Sequence, residues 1–262
     1  MTDPLPLPER NPGCEDTFPV DFPNIVNLFS LFGLSAETLH PLMYRTGAIL
    51  AGGAMMNMRY NLEHEENPDF TTIPLHPDSD LDFWIADPTP LDSHPRRVYY
   101  GLICDLWDAY LQSAAGYESY CPAGPGDYEE ADGDRSTFLT ECGTRIRIRY
   151  YQRPGTAHRR IQLIFYDTHD FPEPARRAPL RLVEHFDLTI CQIMLYASVT
   201  NQLWIGHVSR LDDLENHLLR RHNPEDPPTQ RTQARIDRYL SRYPTLQLAG
   251  TSAGAAAGFT SG

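Results

Sequence analysis

The sequence predicts an α/β fold, a mixed sheet flanked by helices with a helical C-terminal portion. Three observations carry this. Helix-like and strand-like segments alternate in the order α-β-α-β-α-β-β-α, with no long run of consecutive strands. One pair of segments is a clear hairpin, RIRIRYY and RIQLIFY alternating on either side of a Pro154-Gly155 turn. Two further helical stretches, 208–221 and 229–242, follow the last strong apolar run.

Taken in order, residues 1–24 are rich in proline and polar side chains and read as a flexible arm. Residues 25–206 form the core. Ser35 is placed to cap a helix over SAETLHPLMYR, with Glu37 in its first turn. Residues 47–51 are a short apolar strand, Gly52-Gly53 a turn, and AMMNMRYNL a helix. Residues 63–79 are polar and broken by prolines, a loop. Residues 81–85 are strand-like and stop at Asp87-Pro88. From His94 to Ala115, Val98, Leu102, Leu106 and Tyr110 recur at i, i+4 spacing, the apolar stripe of an amphipathic helix. Residues 121–136 are acidic and rich in glycine and proline, an exposed loop. Beyond the hairpin, 176–185 is helical, and FDLTICQIMLY is apolar enough for either a core strand or a core helix. Residues 207–243 make up the C-terminal helices, and 244–262 a small-residue, disordered tail.

Hydrophobic residues make up 41% of the 262, enough for a sizeable core. No apolar run approaches the ~18 residues of a membrane helix, and the first residues have neither the positive start nor the apolar stretch of a secretory signal. A cytoplasmic protein with no membrane partner is expected. The five cysteines (Cys14, Cys104, Cys121, Cys142, Cys191) form no CxxC pair and have no histidine at zinc spacing, so they read as free thiols. All 22 basic residues are arginine, which excludes a lysine base or Schiff base. The net charge of −13 is divided unevenly: residues 1–141 hold 6 arginines against 24 acids, and residues 142–262 hold 16 against 11. That asymmetry permits an anion-binding face on an acidic protein.

The chemistry centres on Asp80-Leu81-Asp82. On a strand, side chains at i and i+2 share a face, so both carboxylates point the same way. Paired hard oxygens suit Mg²⁺, which binds through one or two carboxylates together with substrate phosphates. Upstream, Gly52-Gly53 ends a strand and opens a helix, which turns backbone N–H groups and the positive helix end toward an anion. Asn57, one turn into that helix, is a candidate for ribose or phosphate contact.

In this order the motifs resemble the nucleotidyltransferase superfamily, in particular the head of CCA-adding enzymes and bacterial poly(A) polymerases. AGGAMMN (51–57) is similar to that family's glycine-glycine-alanine turn and helix, and SDLDFWI (79–85) to its metal-binding strand. FDLTICQIMLY is similar to the motif the family writes as DFTINAL, matched by Asp187, Thr189 and Ile190. With IQLIFY and the late RIDRYLSRY, the pattern is closer still to nucleotidyltransferase-like proteins of large viruses, phages and fungi. The resemblance spans 46–243. It implies a nucleotidyltransferase-like fold and transfer of a nucleoside monophosphate from an NTP to a hydroxyl. It also implies Mg²⁺ on Asp80 and Asp82, phosphates at Gly52 and Gly53, and an RNA or protein acceptor.

The departures from that pattern are specific. The family's third carboxylate would fall on Gln162, a neutral and poorer ligand, so that Asp187 or Asp167 is recruited instead or one ion is held weakly. The family's arginine pair is His185-Phe186 and its asparagine is Cys191. No base-selecting motif and no basic tail domain for tRNA is present. Two alternatives follow: a catalytically degenerate fold serving as a nucleotide-binding or interaction module, or a nucleic-acid binder using Arg145, Arg147 and Arg149, which share one strand face. Asp187 is either a third metal ligand or a buried acid at a helix start.

Overall fold

The computed structural model describes residues 16–19, 22–66, 74–87, 94–120, 129–131, 134–139, 145–155, 159–168, 178–198, 202–207, 213–214 and 216–249. In chain order the elements begin with β1 (Asp16–Pro19), α1 (Phe22–Leu31), α2 (Ala36–Thr46), β2 (Ile49–Ala51), α3 (Gly53–Glu66) and β3 (Leu81–Asp87). Then come α4 (His94–Asp108), β4 (Glu118–Tyr120), β5 (Glu129–Ala131), β6 (Asp134–Leu139), β7 (Arg145–Gln152) and β8 (Arg160–Asp167). The chain continues with α5 (Ala178–Glu184), β9 (Ile193–Ala197), β10 (Leu203–His207), β11 (Leu218–Leu219), α6 (Gln230–Arg242) and β12 (Gln247–Leu248).

Among the described residues the strands form a ten-stranded sheet in the order β1-β10-β9-β2-β3-β8-β7-β6-β5, with β4 on β7. The central pair β3–β8 is parallel while its neighbours are antiparallel, so the sheet is mixed, as expected. Alternation along each strand splits the core in two. Leu81, Phe83 and Ile85 of β3, with Ile161, Leu163 and Phe165 of β8, pack against α1 to α4. Trp84, Ile164, Tyr166 and Ile148 face the other way, against Leu180, Leu182 and Val183 of α5.

Helix α2 ends as its sequence directs. Gly47 takes φ +66° and its N–H bonds the Met43 carbonyl, a left-handed cap that favours glycine. Helix α4 is amphipathic on a different stripe from the one expected. Val98 and Leu102 are 58% and 59% exposed, while Ile103, Cys104 and Trp107 are buried and Leu106 and Tyr110 pack partly. The large rings decide the face: Trp107 lies 4.8 Å from the Phe83 ring and its Nε1 donates to Thr46 Oγ1 at 3.3 Å.

Several boundaries differ from expectation. β1 at 16–19 and the first residues of α1, 22–24, lie where an arm was expected. Helix α3 runs on to Glu66, shortening the loop expected from 63. Part of the acidic loop expected at 121–136 is instead the antiparallel pair β5–β6, which adds strands to the edge by β7. FDLTICQIMLY is a 3₁₀ turn over Thr189–Cys191 followed by strand β9. Of the two C-terminal helices, 229–242 is α6, but 208–221 contains strand β11, which pairs in parallel with β12 inside the expected tail. Residues 1–15 and 250–262, and Cys14, Cys121 and Cys142, lie outside the described residues. The described cysteines, Cys104 and Cys191, are buried and free. No helix among the described residues is long and apolar enough to cross a membrane.

Trp107 spans the helix–sheet contact with no exposed surface. Trp107→Ala is therefore expected to lower the unfolding free energy by about 3–5 kcal/mol, the range for truncating a large buried ring, as read from the midpoint of a urea melt.

Candidate functional site

A cleft of about 280 Å³ opens at one end of the sheet face that carries α5. Strand register builds its floor. Ala51 stands opposite Asp82, Asp82 opposite Gln162, and Gln162 opposite Tyr150. Asp80 precedes Asp82 by two residues as Arg160 precedes Gln162, so these four side chains share one face, and all four line the cleft. The structure thus brings Asp80 and Asp82 together, as expected.

Gly52 and Gly53 also meet here. Gly52 has φ +100°, which L side chains rarely adopt, and a Cβ on it would stand 3.3 Å from Asp82 Oδ2. Its carbonyl accepts from the N–H groups of Met55 and Met56, starting α3 beside the carboxylates. Gly53 is required for a different reason: a Cβ there would lie 2.5 Å from Tyr239 Oη. The turn therefore both approaches the aspartates and lets α6 dock.

The opposite wall is α6. Thr229 caps it, accepting from the Thr232 N–H at 3.0 Å. Thr232 and Ile236 are buried, and the adjacent stripe carries Arg231, Arg235, Arg238 and Arg242 at i, i+4, i+7 and i+11, all lining the cleft. Contacts that hold the helix include Arg235 on Asp187, Cys191 Sγ on Tyr239 Oη at 3.1 Å, and Tyr243 Oη on Asn57 Oδ1 at 3.3 Å. Sequence reasoning did not select these arginines as a site. Their helical spacing was the signal that would have found them.

Strand, glycine turn, helix and carboxylate strand converge on one cleft, in an α/β mixed sheet.

Within it, Asp80 is strongly held. Arg160 donates Nε to Oδ1 at 2.8 Å and Nη2 to Oδ2 at 3.0 Å, and Gln162 Nε2 donates to Oδ2 at 2.9 Å. Burial pushes the Asp80 carboxyl above its ordinary range, against the opposing pull of Arg160, Gln162 and Arg242. Burial likewise raises the Cys191 thiol to about 12, so it serves as a neutral donor to Tyr239 and not as a nucleophile.

Other expected site residues are placed differently. Asn57 is 1% exposed and does not line the cleft; its Nδ2 donates to the Pro74 carbonyl at 3.2 Å and its Oδ1 accepts from Tyr243. It ties the segment before β3 to α6, a structural place instead of a nucleotide contact. Asp187 does line the cleft, but its carboxylate meets Arg235. Asp167 sits at the far end of β8, beside Asp87. The arginines of β7 face away from the cleft: Arg149 pairs with Asp108 of α4 at 2.8 Å, and Arg147 lies 5.7 Å from the Tyr100 ring. The structure does not bring them together as a phosphate-binding face.

No protein-family model matches the chain and no curated protein does. Among solved structures, a CCA-adding enzyme with CTP is similar over 87% of this chain and 41% of its own, at 13% identity and TM-score 0.39. The Thermotoga maritima CCA-adding enzyme complexed with tRNA is similar over 88% and 40%, at 15% and 0.40. An isolated CCA-adding enzyme head domain is similar over 86% and 89%, at 13% and 0.39. The chain therefore spans about two fifths of the length of the first two.

Gly53→Ala is expected to destabilise the protein by about 1–3 kcal/mol, the usual cost of overpacking. Tyr239→Phe, which removes the clashing oxygen, should recover part of that loss in the double variant; additive losses in a denaturation cycle would contradict the contact.

Proposed function

We propose that this cleft binds a nucleoside triphosphate and that the chain transfers its nucleoside monophosphate to a hydroxyl acceptor. The observation that carries this is the convergence of Asp80 and Asp82 on the floor with the four arginines of α6 on the wall. Arginine recognises phosphate with fixed, paired donors, and the start of α3 adds backbone N–H groups beside the Gly52 turn. The acceptor, an RNA end or a protein side chain, would enter from the open side of the cleft.

Transfer of this kind uses a hard cation, and the donor set bears on that. Asp80 and Asp82 share a face, and two carboxylates with substrate phosphates are ligands that Mg²⁺ accepts. Among the described residues no group of three or more His, Cys, Asp or Glu side chains is arranged around a metal position. The set therefore fits one ion, held by Asp82 and Asp80 with the phosphates. When bound, Mg²⁺ would polarise the phosphoryl oxygens. The chain's own residues do the rest. Arg238 and Arg242 would bind the β- and γ-phosphates and offset charge on the departing pyrophosphate. The Gly52 backbone would hold the phosphate chain against the floor, and α6 would cover the cleft and exclude water.

A second reading is favoured by the hold of Arg160 and Gln162 on Asp80. In it the cleft binds nucleotide without turnover, and the chain is an interaction or nucleotide-binding module.

Calorimetric titration of Mg·ATP, with the other three NTPs, into wild type and Asp80→Asn/Asp82→Asn separates these. Transfer predicts nucleotide binding, release of labelled pyrophosphate and loss of both in a folded double variant. Binding without pyrophosphate release supports the module, and absence of binding to the wild type sinks both readings. Arg238→Gln/Arg242→Gln should weaken nucleotide binding by roughly tenfold or more, since each charged hydrogen bond contributes about 1.5–3 kcal/mol.

A further inference from the structure

Three donor groups converge on the two oxygens of Asp80, two N–H groups of Arg160 and the amide of Gln162. The register of β3 against β8 sets this pairing, since Leu81 stands opposite Ile161 and Asp82 opposite Gln162. Tyr120 of β4 lines the same cleft as Arg160, its ring 5.8 Å from that of Tyr150. A planar guanidinium on both oxygens of a carboxylate is the strong, geometrically specific form of the ion pair. The Asp80 side chain is only 17% exposed, against 41% for Arg160, so the carboxylate lies on the sheltered side of the pair. An ion seeking Asp80 would have to displace these donors. Asp82 shares the floor with Asp80 and lies beneath the Gly52 turn.

We propose that Arg160 is a built-in cation of this centre: it neutralises Asp80 and restricts the cleft to one divalent ion. Arg160 is then a positioning residue that acts through Asp80. Gln162 supports it by presenting a donor where an acid would add negative charge and invite a second ion. This rests on the reading of the cleft as a metal–nucleotide site, and it is read without nucleotide or turnover.

The test is titration of Mn²⁺ alone into the full chain, with free ion counted by electron paramagnetic resonance and folding checked by circular dichroism. Wild type is expected to take at most one ion. Arg160→Met should bind Mn²⁺ roughly tenfold more tightly or take one ion more, the scale set by removing a charge-assisted hydrogen bond. Arg160→Lys, which keeps the charge but not the paired donors, should fall between wild type and Arg160→Met. If Arg160→Met does not fold, Gln162→Glu carries the test, adding an acid beside Asp80 with Arg160 in place, and should also tighten Mn²⁺ binding. Two ions on the wild type, or wild-type binding by the folded Arg160→Met or by Gln162→Glu, overturns the proposal. Loss of Mg·ATP binding with this Mn²⁺ pattern intact would count against the nucleotide reading alone.

Discussion

The parallel pairing of β3 with β8 is the constraint on which the rest depends. It puts Leu81, Phe83 and Ile85 on one face with Ile161, Leu163 and Phe165, where four helices bury them. The opposite face then carries Asp82 beside Gln162 and Trp84 beside Ile164 in register. A slip of one residue would send the carboxylate into the helix-covered core and the phenylalanine into the cleft. Burial on both sides makes that slip costly, and the same burial holds the cleft's floor rigid.

The second organising feature is the meeting of the two halves of the chain. The acids Asp78, Asp80 and Asp82 come from the acidic half, and Arg160 with the α6 arginines from the basic half. Inside a cleft of limited solvent access such charges act on one another more strongly than on an open surface. Helix α6 is held there by contacts to three separate elements of the core. Tyr239 rests over Gly53, Tyr243 reaches Asn57 of α3 and Ser79 before β3, and Arg235 meets Asp187. An arginine-bearing helix is thereby fixed opposite carboxylates across the cleft.

Much of the fold was legible from local pattern. The hairpin of β7 and β8 and the strand–glycine–helix sequence from Ile49 each follow from residues within a few positions of one another. The stripe on α4 was misread because periodicity identifies two neighbouring apolar stripes, Val98–Leu102 and Ile103–Trp107, without saying which faces the sheet. The rings of Trp107 and Phe83 settled it by their size. Strands β5, β6, β11 and β12 were invisible because each is short or polar and exists through its partner.

Alone, the sequence determined that Asp80 and Asp82 share a face and that a glycine turn precedes a helix, because period-two and left-handed backbone constraints act locally. It determined as well that acids and arginines occupy different halves of the chain. The tertiary structure decided which of these residues meet. Asn57 turned inward, Asp187 went to Arg235, and the arginines of β7 turned to α4, while those of α6 faced the aspartates. The physical reason is distance along the chain: α6 lies some 150 residues beyond Asp80, and only packing of Tyr239 and Tyr243 against the core brings them together. No local pattern encodes a contact of that separation.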